Sequence, residues 1–266
     1  MENPLRISII TPSYNQAEYI ERTIQSILSQ EVSFPFEMIV MDGGSTDGTL
    51  DILKKYEDRL KWFSGKDAGQ SDAVNKGIAM ASGEIIGWLN SDDTYLPGAL
   101  QKVVDQFDAN PGSHWLYGNC RMIDENDRET RHWITWYKNY RSRKFRFNRL
   151  LTENFLSQPA VFFKKETFAK VGPLDLDNHY AMDFDLWLGM AKMGPPIVLW
   201  DYLAAFRLHG KSKSIRNYHS LFTDQYRVHK KYDSGRYLLF IHRLNIVKTL
   251  AVYRLLDKLR QSRSGK

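Results

Sequence analysis

Residues 7–49 read ISIITPSYNQAEYIERTIQSILSQEVSFPFEMIVMDGGSTDGT, and their pattern predicts the fold class. Residues 7–10 are a short apolar run closed by Thr11 and Pro12, which predicts a buried strand. Residues 18–30 carry isoleucines and a leucine at helical spacing, and a second apolar run follows at residues 36–41. A strand, a helix and another strand in this order indicate a parallel sheet.

The same alternation continues as far as residue 89. It predicts helices over residues 49–56 and 71–81, and strands over 60–64 and 84–89. The sequence therefore predicts an α/β domain with a mainly parallel sheet that helices cover on both faces. Ligands of such sheets bind beyond the carboxyl ends of the strands, so the polar segments after the four strands are candidate binding residues. These are residues 12–15, 42–45, 65–67 and 90–93.

The second half is less regular. We predict helices over residues 97–107 and 179–193, and strands over 115–120 and 158–163. No internal repeat or linker is visible, so we predict one domain over residues 1–217 and a helical extension over 218–266. There is no signal-peptide core and no apolar run long enough to span a membrane, which favours a cytoplasmic protein.

Charge is unevenly distributed along the chain. Eight of the 37 Lys and Arg lie at or after Arg236, against one of the 31 acidic residues, so the first 235 residues are almost neutral. This balance disfavours binding to nucleic acid. Residues 237–259 place leucine, isoleucine and valine among bases. This pattern fits either peripheral contact with an anionic membrane or packing on the domain or a partner subunit.

Two polar segments carry the candidate chemistry. Asp92 and Asp93 follow a buried strand, and adjacent carboxylates repel each other unless a cation offsets their charge. Mg²⁺ or Mn²⁺ would do so and would bridge the carboxylates to substrate phosphates. The alternative is a solvated turn in which Asp92 caps a helix. Asp42 precedes two glycines and could accept hydrogen bonds from a base or ribose.

The single cysteine, Cys120, excludes an intramolecular disulfide and a cysteine-rich zinc site, and it is expected to be a small buried side chain. Residues 131–151 combine aromatic side chains with seven Lys and Arg and no acid. They could bind a polyanion, line an acceptor site, or form a surface flap whose aromatic side chains lie in the core. We favour the last two together.

Seven motifs in order resemble family 2 glycosyltransferases of the GT-A fold. They are residues 11–15, 42–49, 67 with 71–77, 90–93, 158–160, 183–188 and 206–209. The resemblance implies an inverting enzyme that moves a sugar from a nucleotide-diphosphate donor, most often a UDP-sugar. The acceptor would be a hydroxyl of a glycan or lipid-linked molecule, in bacterial polysaccharide synthesis.

The resemblance also implies roles for individual residues. Asp183 matches the catalytic base, with Asp185 as the substitute if the alignment shifts. Asp92, Asp93 and His209 match the ligands of Mn²⁺ or Mg²⁺. The implied donor-binding residues are Thr11, Pro12, Tyr14, Asp42, Gly44, Asp67, Asn75, Asn90, Ser91, Asp92 and Arg207, and Lys211 is a further candidate contact of the diphosphate.

Two rival functions use similar residues. A nucleotidyltransferase would be expected to carry a glycine-rich basic loop after its first strand, where this chain has TPSYN at residues 11–15. A non-catalytic sensor or scaffold would keep the donor cleft and bind nucleotide-sugar without turning it over.

Overall fold

The computed structural model describes residues 6–210, 218–232, 235 and 237–248. Its strands are β1 (Ile7–Ser13), β2 (Phe36–Asp42), β3 (Lys61–Ser64), β4 (Ile85–Trp88), β5 (Thr94–Tyr95), β6 (Trp115–Ile123), β7 (Val161–Lys164) and β8 (Ile197–Arg207). Its helices are α1 (Ile20–Leu28), α2 (Thr49–Lys54), α3 (Gln70–Met80), α4 (Ala99–Ala109), α5 (His132–Ser142), α6 (Phe147–Thr152), α7 (Lys165–Val171), α8 (Met182–Met193) and α9 (Tyr218–Tyr232). Residues 237–248 are helical as well.

The strands form one sheet in the order β3-β2-β1-β4-β7-β6-β8-β5. β1 pairs in parallel with β2 and β4, and β2 with β3. β7 lies antiparallel between β4 and β6, and β5 lies antiparallel to β8 at the edge. The predicted α/β fold with a mainly parallel sheet is confirmed. The sequence did not predict that β5 and β7 are antiparallel to their neighbours, because an apolar run does not show in which direction its strand runs in the sheet.

Two apolar cores cover the two faces of the sheet. Ile7 and Ile9 of β1 pack into one core with α1, α2 and α4. Ile10 packs into the other, which contains Trp115 and Trp187 and is covered by α3, α6 and α8. Successive side chains of a strand point to opposite faces, so one apolar strand supplies both cores. The packing of helices on both faces of the sheet therefore holds the ends of the strands in place.

Gly77 lets α3 lie directly on β1 and β2. A Cβ at this position would lie 2.5 Å from Ile10 Cγ2 and 3.2 Å from Met41 Cγ. We expect Gly77→Val to lower the free energy of unfolding by about 2 kcal/mol or more, because overpacking displaces the helix from the sheet. Gly112→Val is the control, since a Cβ there meets nothing within 4 Å. Denaturant unfolding measures both, and equal stability of the two variants would refute the close packing.

One predicted strand needs correction at its start. Residues 158–163 were expected to be a strand, but Gln158–Ala160 form a short 3₁₀ helix and β7 begins only at Val161. Pro159 explains the difference, because proline has no N–H to donate to a strand ladder. Residues 131–151 form α5 and α6, and Phe145 and Phe147 pack against the core. Among the described residues no helix is long and apolar enough to cross a membrane.

The described part of the C-terminal extension packs on the domain. Lys231 Nζ lies 2.9 Å from Asp185 Oδ2, and the Tyr232 hydroxyl donates to Asp185 Oδ1 at 2.7 Å. His229 Nδ1 lies 2.9 Å from the Leu151 carbonyl oxygen. The boundary at residue 217 stays a prediction. Leu250, Val252, Leu255, Leu256 and Leu259, which belong to the apolar pattern of the tail, lie outside the described residues.

Candidate functional site

A cavity of about 640 Å³ opens at the carboxyl ends of β1 and β4. Seven of the residues singled out in the sequence line it: Pro12, Tyr14, Asp67, Asn90, Ser91, Asp92 and Asp183. They come from the first strand, from two later loops and from the start of α8. The sheet therefore brings segments that are far apart in the sequence to one cleft, as the position of ligands in open α/β sheets requires.

Asn90 is the centre of a hydrogen-bond network under this cavity. Its Oδ1 accepts from Trp88 Nε1 at 3.0 Å and from Gln70 Nε2 at 2.8 Å. Its Nδ2 donates to Gln158 Oε1 at 2.9 Å. An aspartate here could accept the first two hydrogen bonds but, when ionised, could not donate the third. The amide at this position therefore fits its neighbours better than a carboxylate would.

Asp92 lines the cavity, and His209 lies behind it without lining the cavity. Asp92 Oδ2 lies 2.9 Å from His209 Nε2, and the His209 side chain is almost fully buried behind the cavity wall. Within the described ranges no group of three or more His, Cys, Asp or Glu is placed to hold a metal ion. Mg²⁺ is usually held by one or two protein carboxylates together with substrate phosphates and water. A carboxylate and an imidazole beside an open cleft fit such a cation.

The structure does not bring the Asp93 side chain to the cavity, and its expected role as a metal ligand stays a prediction. Its side chain is fully buried, and its Oδ1 accepts a hydrogen bond from the backbone N–H of Arg207 at 2.9 Å. Burial, with the neighbouring charge of Asp92, raises the pKa of Asp93 well above its ordinary value. Asp93 therefore ties the turn after β4 to the end of β8.

The expected contact of Arg207 with the donor also stays a prediction. Its guanidinium is buried and does not line the cavity. Nε donates to the backbone oxygen of Asp92 at 2.8 Å, Nη1 donates to the Asp124 carbonyl at 3.0 Å, and Nη2 lies 2.6 Å from Asp127 Oδ1. Arg207 therefore holds the Asp92 turn from behind. Lys211 lies outside the described residues.

The Asp42 carboxylate stabilises the loop beside the cavity through hydrogen bonds, but it does not line the cavity. Its carboxylate accepts hydrogen bonds from the N–H groups of Gly44 at 3.0 Å and Ser45 at 2.9 Å. The hydroxyls of Ser45 and Ser64 donate to it as well, at 2.5 and 2.7 Å. Oδ2 accepts three of these four bonds and Oδ1 accepts one, so the carboxylate is engaged mainly within its own loop. The expected contacts of Asp42 and of Gly44, which has φ +86°, with a base or ribose stay predictions.

The cavity-lining residue of this loop is Gly43. A Cβ there would lie 3.0 Å from Asp67 Oδ2, so glycine lets Asp67 approach closely. Thr11 is buried inside β1 and does not reach the cavity.

Asn75 forms two hydrogen bonds with the backbone of Leu174, and its expected contact with the donor stays a prediction. Its Nδ2 donates to the Leu174 carbonyl at 2.9 Å, and its Oδ1 accepts from the Leu174 N–H at 2.9 Å. The pair of bonds fixes the segment that leads to α8. Asn75 thereby helps to position that segment beside the site.

Asp183 and Asp185 point in different directions, as their spacing on a helix predicted. Asp183 lines the cavity, and its Oδ1 accepts from the Phe184 N–H at 2.7 Å. Burial raises the pKa of Asp183, and the hydrogen bond from Phe184 and the charge of Lys138 oppose that rise. Asp185 is held by Lys231 and Tyr232 on the outer side.

Several cavity residues were not assigned a role from the sequence. Gln158 donates to the Trp88 carbonyl at 2.5 Å, and its motif was visible but was read as part of a strand. His179 and Tyr180 lie in the loop before α8, where no sequence pattern marks a lining residue. The Tyr180 N–H donates to Asp224 Oδ2 at 3.2 Å, so α9 helps to position this wall.

No residue of segment 131–151 lines this cavity. Phe145 and Phe147 match the flap interpretation, whereas Trp133, Trp136 and Tyr140 are exposed on the surface. Cys120 is buried, and burial raises the pKa of its thiol to about 12, as expected of an inert side chain.

The amino-acid sequence matches the model for glycosyl transferase family 2 over residues 8–172. An uncharacterised glycosyltransferase of Mycobacterium tuberculosis is 31% identical over 236 residues, which cover 86% of this chain and 86% of that one. Some curated relatives are longer. The chain spans 66% of a glycosyltransferase of Nostoc sp. (29% identity, 77% of this chain) and 30% of chondroitin synthase of Escherichia coli (27% identity, 79% of this chain).

Two solved structures share the fold. TarS of S. aureus, in complex with UDP, has a TM-score of 0.62 at 19% identity over 88% of this chain and 68% of that one. The mannosyltransferase PcManGT of Pyrobaculum calidifontis, in complex with GDP-Man and Mn²⁺, has a TM-score of 0.65 at 18% identity over 100% of this chain and 82% of that one. The sheet and its flanking helices therefore have the architecture of GT-A glycosyltransferases.

Proposed function

Because the chain belongs to glycosyltransferase family 2, we propose that its cavity binds a nucleotide-diphosphate sugar, with UDP as the nucleotide, and transfers the sugar with inversion. The acceptor is a hydroxyl of a glycan or lipid-linked molecule in bacterial polysaccharide synthesis. The observation that carries the proposal is that Asp92 and Asp183, from distant parts of the sequence, line one cavity of about 640 Å³.

The donor spans the cavity from the first strand to the turn after β4. Pro12, Tyr14 and Asp67 lie at the end that receives the nucleoside, and Tyr14, with 62% of its surface exposed, offers its ring for stacking. The donor diphosphate would lie against Asn90, Ser91 and Asp92, which line the other end of the cavity. Complexes of TarS with UDP and with UDP-GlcNAc, and of PcManGT with GDP-Man, support this class of donor.

Asp92 and His209 would hold Mn²⁺ or Mg²⁺ together with the donor diphosphate. When bound, the cation offsets the negative charge that grows on the departing diphosphate. Mn²⁺ in the PcManGT complex supports this part of the proposal. Behind the site, Arg207 and Asp93 keep the Asp92 turn in place, so that the carboxylate faces the cleft at a fixed position.

Asp183 is the general base of the proposed reaction. The acceptor oxygen forms a bond to the anomeric carbon while the bond from that carbon to the diphosphate oxygen breaks. The hydroxyl proton passes to the Asp183 carboxylate, and the nucleoside diphosphate leaves. Attack from the side opposite the leaving group inverts the anomeric carbon. The Phe184 N–H fixes one carboxylate oxygen of Asp183 for this role.

The pH dependence of transfer follows from the pKa of Asp183. A base acts in its deprotonated form, so kcat/KM falls as the pH drops through this pKa. Because burial raises it from the ordinary value of 3.8, we expect the acid limb of the kcat/KM profile above that value. The Asp185→Asn variant is the control, and the acid limb of its kcat/KM profile should lie at the same pH as in the wild type. A profile that stays flat down to pH 3.8 would contradict the assignment.

A thermal-shift screen tests the proposed donor. A ligand that binds the native state raises the melting temperature by mass action. We expect one of UDP-, GDP- or dTDP-sugars to stabilise the chain in the presence of Mn²⁺ and much less in EDTA. Slow hydrolysis of that donor separates the enzyme from a sensor, which binds without turnover. Stabilisation by no nucleotide-sugar would refute the proposal. Peripheral contact with the cytoplasmic face of a membrane through the tail stays a prediction.

A further inference from the structure

An apolar stripe is exposed on the helical residues 237–248. It consists of Tyr237, Phe240, Leu244 and Val247, whose side chains are between 53% and 74% exposed. Their spacing of three and four residues puts them on one face of the helix. A large apolar face on a soluble domain is unusual unless something covers it. We call these four residues the stripe.

The opposite face of the same segment is anchored to the domain. His242 is buried, its Nδ1 lies 3.1 Å from the Thr152 carbonyl, and its ring stacks on Phe184 next to Asp183. Asn245 Nδ2 also donates to the Thr152 carbonyl, at 3.1 Å. The segment is therefore held in one orientation, and the stripe is the side that it turns outward. Both interpretations of the tail can then hold, because they concern different faces of one helix.

A second cavity, of about 510 Å³, lies beside the stripe between α6 and this segment. Arg141, Arg146 and Arg149 line it together with Phe147, Leu238 and Ile241. Arg141 forms an ion pair with Glu153 at 3.0 Å, whereas Arg146 and Arg149 form no ion pair with a carboxylate within the described residues. The groove thus combines cationic and apolar walls. Such a lining suits an anionic group attached to an apolar chain.

Bases outnumber acids around the stripe, and the nearby Glu153 is paired with Arg141. Residues 141–152 contain five Lys and Arg and no acid, and residues 237–248 contain two and no acid. Arg243 and Lys248 lie three or four residues from members of the stripe. Lys144 and Arg146 are exposed near the groove. An apolar face edged by cations is typical of helices that lie in the interface of a membrane with anionic lipids.

We propose that the stripe and the arginine groove form one surface by which the chain lies on an anionic lipid bilayer. The stripe enters the boundary between headgroups and acyl chains, and the groove receives lipid phosphates. Charge complementarity favours this occupant over a second copy of the chain, which would bring the same cations against each other. The inference goes beyond the proposed activity, because no residue of this surface lines the donor cavity.

Vesicle co-sedimentation of the full chain tests the proposal. We expect strong binding to vesicles of phosphatidylcholine with phosphatidylglycerol, weak binding to phosphatidylcholine alone, and loss of binding at high salt. Phe240→Gln with Leu244→Gln, and separately Lys144→Gln with Arg146→Gln, should each lower the partition coefficient at least about tenfold. All four side chains are exposed, so the melting temperature should not change.

The control variant is Met80→Gln with Lys55→Gln, which alters an exposed apolar and a basic side chain elsewhere and should bind vesicles like the wild type. Wild-type binding by the two surface variants would overturn the proposal, because the bases beyond residue 248 would then carry the attraction. Equal binding to both kinds of vesicle, or to neither, would also overturn it. So would a stable dimer that the stripe variant dissociates. Donor binding is measured separately, so that failure of the membrane proposal can be distinguished from failure of the proposed activity.

Discussion

Asp183→Asn lowers the rate of sugar transfer by about 10²–10⁴-fold and leaves donor affinity almost unchanged. The amide keeps the shape of the side chain and an oxygen that can accept from the Phe184 N–H, which lies 2.7 Å from Asp183 Oδ1. It cannot take the proton of the acceptor hydroxyl, so only the chemical step is lost. Transfer is measured by release of nucleoside diphosphate, and donor affinity by calorimetry.

Asp185→Asn is the matched control for this prediction. Asp185 lies one position beyond Phe184 on α8 but bonds to Lys231 and Tyr232 outside the cavity. Its loss weakens the contact with α9, so we expect a lower melting temperature and a rate within a few-fold of the wild type. If Asp183→Asn transfers at the wild-type rate, or Asp185→Asn loses transfer instead, the assignment of the base is wrong.

Asp92→Ala raises the Kd for donor in the presence of Mn²⁺ by about 100-fold or more. Without this carboxylate the proposed cation keeps only His209 as a protein ligand, and the diphosphate charge is poorly offset. Calorimetry in Mn²⁺ and in EDTA measures the difference, and in the variant the two affinities should become nearly equal.

Asp93→Asn separates this effect from a general loss of acidic charge. The amide can still accept from the Arg207 N–H, which Asp93 binds at 2.9 Å. We expect reduced stability but preserved Mn²⁺-dependent affinity, because Asp93 does not face the cavity. The reverse pattern, with cation dependence lost in Asp93→Asn and kept in Asp92→Ala, would contradict the geometry of the turn.

The sequence predicted the alternating half of the fold because that information is local. Each strand and helix before residue 89 is set by its own apolar spacing and by a polar stop, so its place in a parallel sheet follows. The direction of β7 and the 3₁₀ helix at Gln158–Ala160 depend on packing between distant elements. The sequence distinguished Asp183 from Asp185 because two residues that are two positions apart on a helix face different directions.

The site residues were harder to predict, because a polar residue after a strand can line a cleft or hold its walls. Asp92 and Asp93 are adjacent, yet only Asp92 faces the cavity, since Asp93 pairs with Arg207 far along the chain. Asn75 and Asp42 likewise form hydrogen bonds inside the protein. A motif shows which residue type occupies a position, whereas hydrogen bonds to distant parts of the chain decide where its side chain points.

Anomalous difference density from crystals grown with Mn²⁺ and the nucleotide chosen by the thermal-shift screen tests the central claim most directly. The account predicts a manganese peak bonded to the Asp92 carboxylate, with the diphosphate beside it and the nucleoside towards Asp67. It also predicts Asp183 on the far side of the bound sugar. A nucleotide that binds outside the cavity lined by Asp92 and Asp183, or a manganese peak with no bond to Asp92, would contradict it.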